Sequence, residues 1–324
     1  MLAYRSTALA AAATVLALVG FPASSGAAIG KSPKHYVALG DSYTSGPVIP
    51  VQRIDPIGCE RSTNNYPALL ARTLHIHDYT DVSCSGAKTV NMTAPQTVPL
   101  GVNPPQFDAL RRDTDLVTLT IGGNDLGFTE IIFTCAQLSV TDPFGNPCQR
   151  EATAGGGDFY AQRIAETAPK VAQVLAGIRA RSPHATVLLV GYLRILPPSV
   201  GCYPVFPIAR GDVPYLDGLE QRFNTMLADQ AFSHGAAFVD SYGGSTGHDA
   251  CKLLPGQKWV EGTVPTSPAA PVHPNALGMQ EVAAFARETL ANLDETAAVG
   301  LSSWRAGRWR TAAGQRGRRG RPRR

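Results

Sequence analysis

The sequence predicts an α/β fold, a parallel sheet covered on both faces by helices. Three observations predict it. Apolar runs of strand length alternate with longer stretches of helical period. The run at 185–191 is apolar almost throughout, as a strand buried on both faces requires. Several runs lead into glycine-containing loops, at 40–46, 84–87 and 122–125. In open α/β sheets, ligands bind at the carboxyl ends of the strands, where such loops sit.

Taken in order, residues 35–39 read as a short apolar strand. Residues 66–74 have helical spacing, with Asn65 as cap and Pro67 in the first turn, where its missing N–H costs nothing. A second strand over 79–83 leads to Cys84-Ser85-Gly86-Ala87. A third, over 115–121, ends at Gly122-Gly123. A helix is predicted over 126–135 and a long amphipathic one over 159–181. The strand at 185–191, a helix over 215–234, a short strand over 236–240 and a closing helix over 276–293 complete the pattern. No internal repeat is present.

Two loops are long, 48–64 and 193–212. Loops of this length in a compact domain are functional or disordered, and the cysteine in each argues for order. Tyr203, Val205, Phe206 and Ile208 lie among the prolines of the second loop and are expected to cover an apolar pocket. Phe128, Ile131 and Ile132 fall at helical spacing and are expected in the core.

The ends of the chain read differently. Arg5, an apolar stretch over 8–19 too short to span a bilayer, and small residues ending at Ala28 predict a secretory signal peptide over 1–28. The formal net charge of +4 is misleading, because nine arginines and no acid fall within 303–324 and the rest of the chain is net acidic. Residues 297–324 are too poor in apolar side chains to fold and are expected to be a disordered arginine-rich tail, solvated or resting on an anionic surface. A folded domain over 29–296 remains, large enough for one core. Nucleic acid is not an expected partner of an exported chain, and the protein is expected to be extracellular and monomeric.

Export makes the six cysteines legible as disulfides. Sequential pairing, Cys59–Cys84, Cys135–Cys148 and Cys202–Cys251, would staple one long loop each. No Cys-x-x-Cys pair exists to favour zinc, and no cofactor or metal is expected.

Gly40-Asp41-Ser42-Tyr43 places a hydroxyl on a turn at a strand end. Serine needs a base to become nucleophilic. His273, restrained between Pro271 and Pro274 and followed by a helix, is the natural one; His248 is its competitor. Attack on an ester carbon creates an oxyanion that needs preorganised donors. The Asn124 side chain, the Gly86 N–H and the Ser42 N–H are the candidates. Asp41 and Asp125 are expected to hold their turns rather than to act as acids or bases.

These segments resemble the SGNH hydrolases, also called the GDSL esterase/lipase superfamily, whose blocks carry serine, glycine, asparagine and histidine in this order. Gly40-Asp41-Ser42-Tyr43, Gly86, Gly122-Gly123-Asn124-Asp125 and His273-Pro274-Asn275 match them. The resemblance implies a flavodoxin-like three-layer α/β/α sandwich with a five-stranded parallel sheet and a metal-free serine-ester mechanism. The three cysteine pairs and the signal peptide look like the secreted actinobacterial branch. One departure stands out: the family usually has aspartate three residues before the histidine, and here that position is Ala270. A Ser42–His273 dyad is therefore expected, with the main-chain carbonyl at Ala270 orienting the imidazole. Asp240, at a strand end, is a distant substitute.

The expected substrate is a carboxylic ester, with fatty acyl esters, lipids included, ahead of O-acetylated polysaccharide. Trp259 is the one tryptophan outside the tail that could stack a sugar. A non-catalytic surface-binding protein that adheres through its basic tail is the reading from another class. A metal-dependent phosphoesterase would need clustered His and Asp ligands around Ser42 and Asn124, which the sequence does not offer.

Overall fold

In the computed structural model, residues 33–254 and 256–295 are described. The expected signal peptide and the arginine-rich tail lie outside them. The strands follow the apolar runs: β1 (His35–Gly40), β2 (Asp78–Asp81), the short pair β3 (Gln96–Val98) and β4 (Gly101–Asn103), β5 (Leu116–Thr120), β6 (Thr186–Val190) and β7 (Ala237–Val239). Five of them form one sheet in the order β2-β1-β5-β6-β7, parallel at every pairing. Successive strand residues point to opposite faces, and every residue of β5 is buried, as are five in a row in β1. Both faces of the sheet are therefore covered, which makes the architecture a three-layer α/β/α sandwich with flavodoxin-like strand order.

The helices are α1 (Ser42–Ser45), α2 (Tyr66–Thr73), α3 (Gly123–Leu126), α4 (Phe128–Ser139), α5 (Pro147–Thr153), α6 (Phe159–Arg181), α7 (Val213–Ser233), α8 (Ser241–Gly244) and α9 over 276–295. Asn65 caps α2 by accepting the Ala68 N–H at 3.0 Å, as its side chain and position predict. The helix expected over 126–135 is instead two, α3 and α4, because Gly127 takes a left-handed φ of 78° that ends one and starts the other. Helix α5 and the β3–β4 hairpin are short and carry little period, and the sequence did not announce them.

The three disulfides are the sequential ones. Cys59–Cys84 ties the loop after β1 to the loop after β2, and Cys135–Cys148 joins α4 to α5.

The strand order places a topological switch point between β1 and β5, since the chain leaves β1 for β2 on one side and later returns to β5 on the other. Their carboxyl ends are where a ligand crevice opens in such sheets. Ser42 follows β1 and Asn124 follows β5.

Candidate active site

The serine turn is built from the end of β1. Gly40 pairs in register with Thr120, and the Asp41 N–H donates to the Thr120 carbonyl at 2.9 Å. Gly40 has a φ of +136°, and a Cβ there would lie 2.6 Å from the Thr120 oxygen and 2.3 Å from Thr44 Oγ1, so only glycine fits. The Gln106 side chain clamps Gly40 through both of its peptides, accepting the Gly40 N–H at 2.7 Å and donating to its carbonyl at 2.9 Å. Asp41 then caps α1 by accepting the Tyr43 N–H at 2.9 Å. Its other carboxyl oxygen accepts a short hydrogen bond from Tyr192 Oη. Burial pushes the Asp41 carboxyl up to about 7, against the pull of its hydrogen bonds from Tyr192 and the Tyr43 N–H. As the first residue of α1, Ser42 has an N–H with no intrahelical acceptor.

His273 Nε2 stands 2.8 Å from Ser42 Oγ, although 231 residues separate the two in sequence. Its Nδ1 lies 2.7 Å from the Pro271 carbonyl. A carbonyl only accepts, so Nδ1 carries the proton and Nε2 offers its lone pair to the serine hydroxyl. The orienting carbonyl is thus that of Pro271 and not of Ala270, whose oxygen accepts the His273 backbone N–H at 3.2 Å. The reason is local. Residues 270–273 form a turn with proline second and Val272 third, and Val272 has a φ of +62°, the signature of a type II turn. Such a turn flips its middle peptide, and the carbonyl of that peptide belongs to Pro271. A β-branched residue in the left-handed region is strained by about 1–3 kcal/mol. Tyr43 Oη donates to the Val272 carbonyl at 2.7 Å, and the Val272 N–H donates to Gly262 at 3.1 Å. Desolvation is the main cause that holds the His273 imidazole below its ordinary value; the Pro271 carbonyl and the Glu60 charge oppose it.

Asn124 Nδ2 donates to the Ala87 carbonyl at 2.9 Å, which leaves one amide hydrogen free to donate elsewhere. That bond draws the Gly86 loop to the end of β5. The loop is held on both sides of Gly86: the Cys84 N–H donates to the Gly40 carbonyl at 3.0 Å, and Asp125 accepts the Thr89 N–H and hydroxyl at 2.9 and 2.6 Å. Gly86 is exposed and takes a φ of +76°. Asp41 holds its own turn through the Tyr43 N–H, as expected, whereas Asp125 bonds across to Thr89 and ties two loops together.

The competing residues lie elsewhere in their bonding. His248 Nδ1 meets the Gln257 carbonyl at 2.8 Å, and its ring stacks on Trp259 at 3.8 Å. Asp240 is exposed and caps α8 through the Gly243 N–H at 2.8 Å.

A cleft opens over Ser42, Asn124 and His273 and is walled by Phe128, Ile132 and Phe133. Here one expectation holds and one reverses. Ile131 and Ile132 are core residues with Phe128 packed against them, as expected, and Phe128 and Ile132 also line the cleft. Phe206 and Ile208 are core residues, each 1% exposed, whereas Tyr203 and Val205 are exposed.

Tyr192 is the residue that sequence reasoning missed. Its hydroxyl accepts the Gly123 N–H at 2.8 Å while donating to Asp41, so one side chain locks the serine turn to the asparagine turn. Its signal was position, just beyond β6 at the same carboxyl edge.

A serine–imidazole pair at the switch point of a five-stranded parallel sheet, beside an asparagine amide, defines a class: the α/β/α ester hydrolases. The family model of the GDSL-like lipase/acylhydrolases matches residues 38–281. The chain is 42% identical over 260 residues to a protein named Lipase 2 from Streptomyces coelicolor, a match covering 79% of this chain and 85% of that one. An esterase from Streptomyces scabiei is 32% identical over 283 residues, covering 76% and 81%. Among solved structures, a phospholipase A1 from Streptomyces albidoflavus superposes with a TM-score of 0.64 at 28% identity, covering 81% of this chain and 99% of that one. An extracellular lipase from Streptomyces rimosus gives 0.60 at 28% identity, covering 77% and 97%. The chain belongs to the GDSL-like lipase/acylhydrolase family, and it is a carboxylic ester hydrolase.

Proposed function

We propose that the protein is a secreted esterase or lipase that cleaves fatty acyl esters through a covalent acyl-serine intermediate on Ser42. His273 Nε2 takes the hydroxyl proton as Oγ attacks the ester carbonyl. The oxyanion is received by the Ser42 N–H, the Gly86 N–H and the free amide hydrogen of Asn124. The same imidazole then protonates the leaving alcohol, and water releases the acid by the reverse sequence. The Pro271 carbonyl fixes the tautomer without supplying a negative charge, so the pair works as a dyad.

The single observation that carries this reading is the 2.8 Å contact between Ser42 Oγ and His273 Nε2 in a cleft with apolar walls. Fatty acyl chains, as substrates, are supported by Phe128, Ile132 and Phe133 beside the serine. A sugar platform has less support, because one face of Trp259 is already stacked by His248. Export with removal of residues 1–28, a hydrolase domain over 29–296 and a basic tail over 297–324 complete the proposal. Export is supported by the three disulfides and by the extracellular relative.

Hydrolysis of p-nitrophenyl esters from acetyl to palmitoyl, by wild type beside Ser42→Ala, tests it. Turnover that rises with chain length and disappears in the variant is expected. Retained turnover in Ser42→Ala would remove the acyl-serine mechanism, and activity confined to acetyl would remove the fatty acyl assignment.

A further inference from the structure

The loop over 48–64 and the β3–β4 hairpin meet at their tips. A Cβ on Gly101 would lie 2.7 Å from Pro56 Cβ, and one on Gly58 would lie 2.3 Å from the Pro99 oxygen. The hairpin buries Val98 and Asn103, and Asn103 accepts from the buried Arg61 at 3.0 Å and donates to the Val82 carbonyl at 3.1 Å. What the two tips leave in solvent is apolar. Ile54 is 81% exposed and Leu100 87%, and Ile57 and Val102 are half-exposed.

Leu100 is the telling residue. It is the second residue of the two-residue turn between β3 and β4 and holds a φ of +57°. That conformation is strained for leucine and natural to glycine or asparagine. The fold gains nothing from the side chain, because almost all of it stays in solvent. Val48, at the root of the loop, is likewise exposed, with a φ of +69°. Single exposed apolar residues need no explanation, but a cluster of them marks a contact surface.

The cluster adjoins the catalytic cleft on its Gly86 side. Gln96 Nε2, in β3, donates to the Ser85 carbonyl at 2.8 Å. The Ser85 N–H donates at 3.0 Å to the carbonyl of Cys59, two residues beyond Ile57. Phe133, half-exposed, continues the apolar surface in the cleft wall. The surroundings are electrically quiet. Residues 89–107 carry no ionisable side chain, and the loop over 48–64 balances Arg53 and Arg61 against Asp55 and Glu60. Arg53 Nε donates to Asp55 at 3.0 Å. Protein interfaces carry polar rims, whereas entry toward hydrocarbon penalises each unpaired charge.

Resting on the fatty acyl reading above, we propose that these tips dock on the surface of a lipid aggregate. Ile54, Ile57, Leu100 and Val102 enter the boundary between headgroups and acyl chains, and the ester passes from that surface into the cleft beside Gly86. A lipid surface covers the cluster and supplies the substrate at once, which a folded partner does not. Neutral or zwitterionic lipid is the matching chemistry, because the two tips carry no net charge.

The test is co-sedimentation of the exported protein, residues 1–28 removed, with phosphatidylcholine vesicles in about 0.5 M salt, which screens the arginines of 303–324. Ser42→Ala serves as the parent, so that no lipid is consumed. Leu100→Asn suits the turn and should keep or raise the melting temperature. It should lower the vesicle partition coefficient about tenfold, and adding Ile54→Ser and Ile57→Ser should lower it about tenfold more. With Ser42 intact, the same substitutions should leave kcat/KM on dissolved p-nitrophenyl butyrate unchanged. They should lower turnover of p-nitrophenyl palmitate carried in the vesicles in proportion to binding. Absence of vesicle binding, or binding that the substitutions do not weaken, overturns the proposal. So does an equal loss on dissolved butyrate, which would make the tips a support for the Gly86 loop. A dimer that Leu100→Asn dissociates also overturns it, since the occupant would then be a second copy. Sedimentation needs no turnover, so failure of the reading beneath it, seen as turnover in Ser42→Ala or activity confined to acetyl, is a distinct result.

Discussion

The serine and the histidine are held by different kinds of structure. Ser42 follows a central strand whose last residue, Gly40, is clamped by Gln106, and its turn is locked through Asp41 to Tyr192. His273 lies on a stretch between α8 and α9 in which, among the described residues, the only β-pairing is an isolated bridge between Val260 and Pro274. It is placed by single hydrogen bonds from afar: Tyr43 to the Val272 carbonyl, the Glu261 N–H to the His273 carbonyl at 2.9 Å, and the Ala270 N–H to Pro47 at 3.2 Å. Behind them, Glu261 Oε1 accepts from Asn275 at 2.8 Å. The nucleophile inherits the rigidity of the sheet, and the base depends on a handful of tethers. Disturbing a tether should move the base and leave the nucleophile in place.

The largest effect should come from removing the base itself. His273→Ala should lower kcat by about 10⁴-fold or more. Its melting temperature should stay near that of wild type, since the partly buried ring faces the cleft and is not part of the core; a smaller kinetic loss would mean that another group takes the serine proton. Asn124→Ala should cost about 10²- to 10³-fold in kcat with less change in KM, as removal of an oxyanion donor does. A loss appearing only in KM would reassign Asn124 to substrate binding. Tyr43→Phe cuts a tether that runs from the serine turn to the histidine loop. It should cost about 1 kcal/mol of stability and lower kcat by about tenfold, the scale of a slightly misplaced catalytic group. An unchanged kcat in a destabilised Tyr43→Phe protein would show that the histidine loop keeps its geometry without that tether.

The smallest effect is a shift in pH dependence. The base must be neutral to accept a proton, and desolvation holds His273 below its ordinary 6.5. The acid limb of kcat/KM should therefore lie below pH 6.5, and a limb above that value would contradict the burial argument. The same depression makes the unfolded chain bind the proton more readily, so this group's contribution to stability is present above pH 6.5 and declines as pH falls through the folded value.

Legibility in the sequence follows the same division. The strands, the long helices and the serine turn were readable because each rests on local chemistry: apolar runs, an Asn65 cap, glycines where a Cβ would clash. The histidine was identifiable by its prolines and its place before a helix. The carbonyl that orients it was misassigned by one residue, because a flipped peptide at Val272 leaves no mark in residue types. Tyr192 was missed for a related reason. It is unremarkable in its own segment and acquires meaning only from the elements packed against it. The walls of the cleft were only partly legible, because Phe128 and Ile132 pack with the core and line the cleft at once, and periodicity reports only the first.

The disulfide connectivity bears on how the chain is made. Cys59 closes with Cys84, Cys135 with Cys148 and Cys202 with Cys251, at separations of 25, 13 and 49 residues. Chains emerge from the ribosome or a translocation pore amino terminus first. Each first thiol of a pair therefore meets its correct partner as the next one to appear, when every earlier thiol has already had its own partner available. Oxidation in order of emergence yields the native crosslinks without reshuffling by an isomerase, whereas oxidation of the full-length denatured chain offers every thiol a choice.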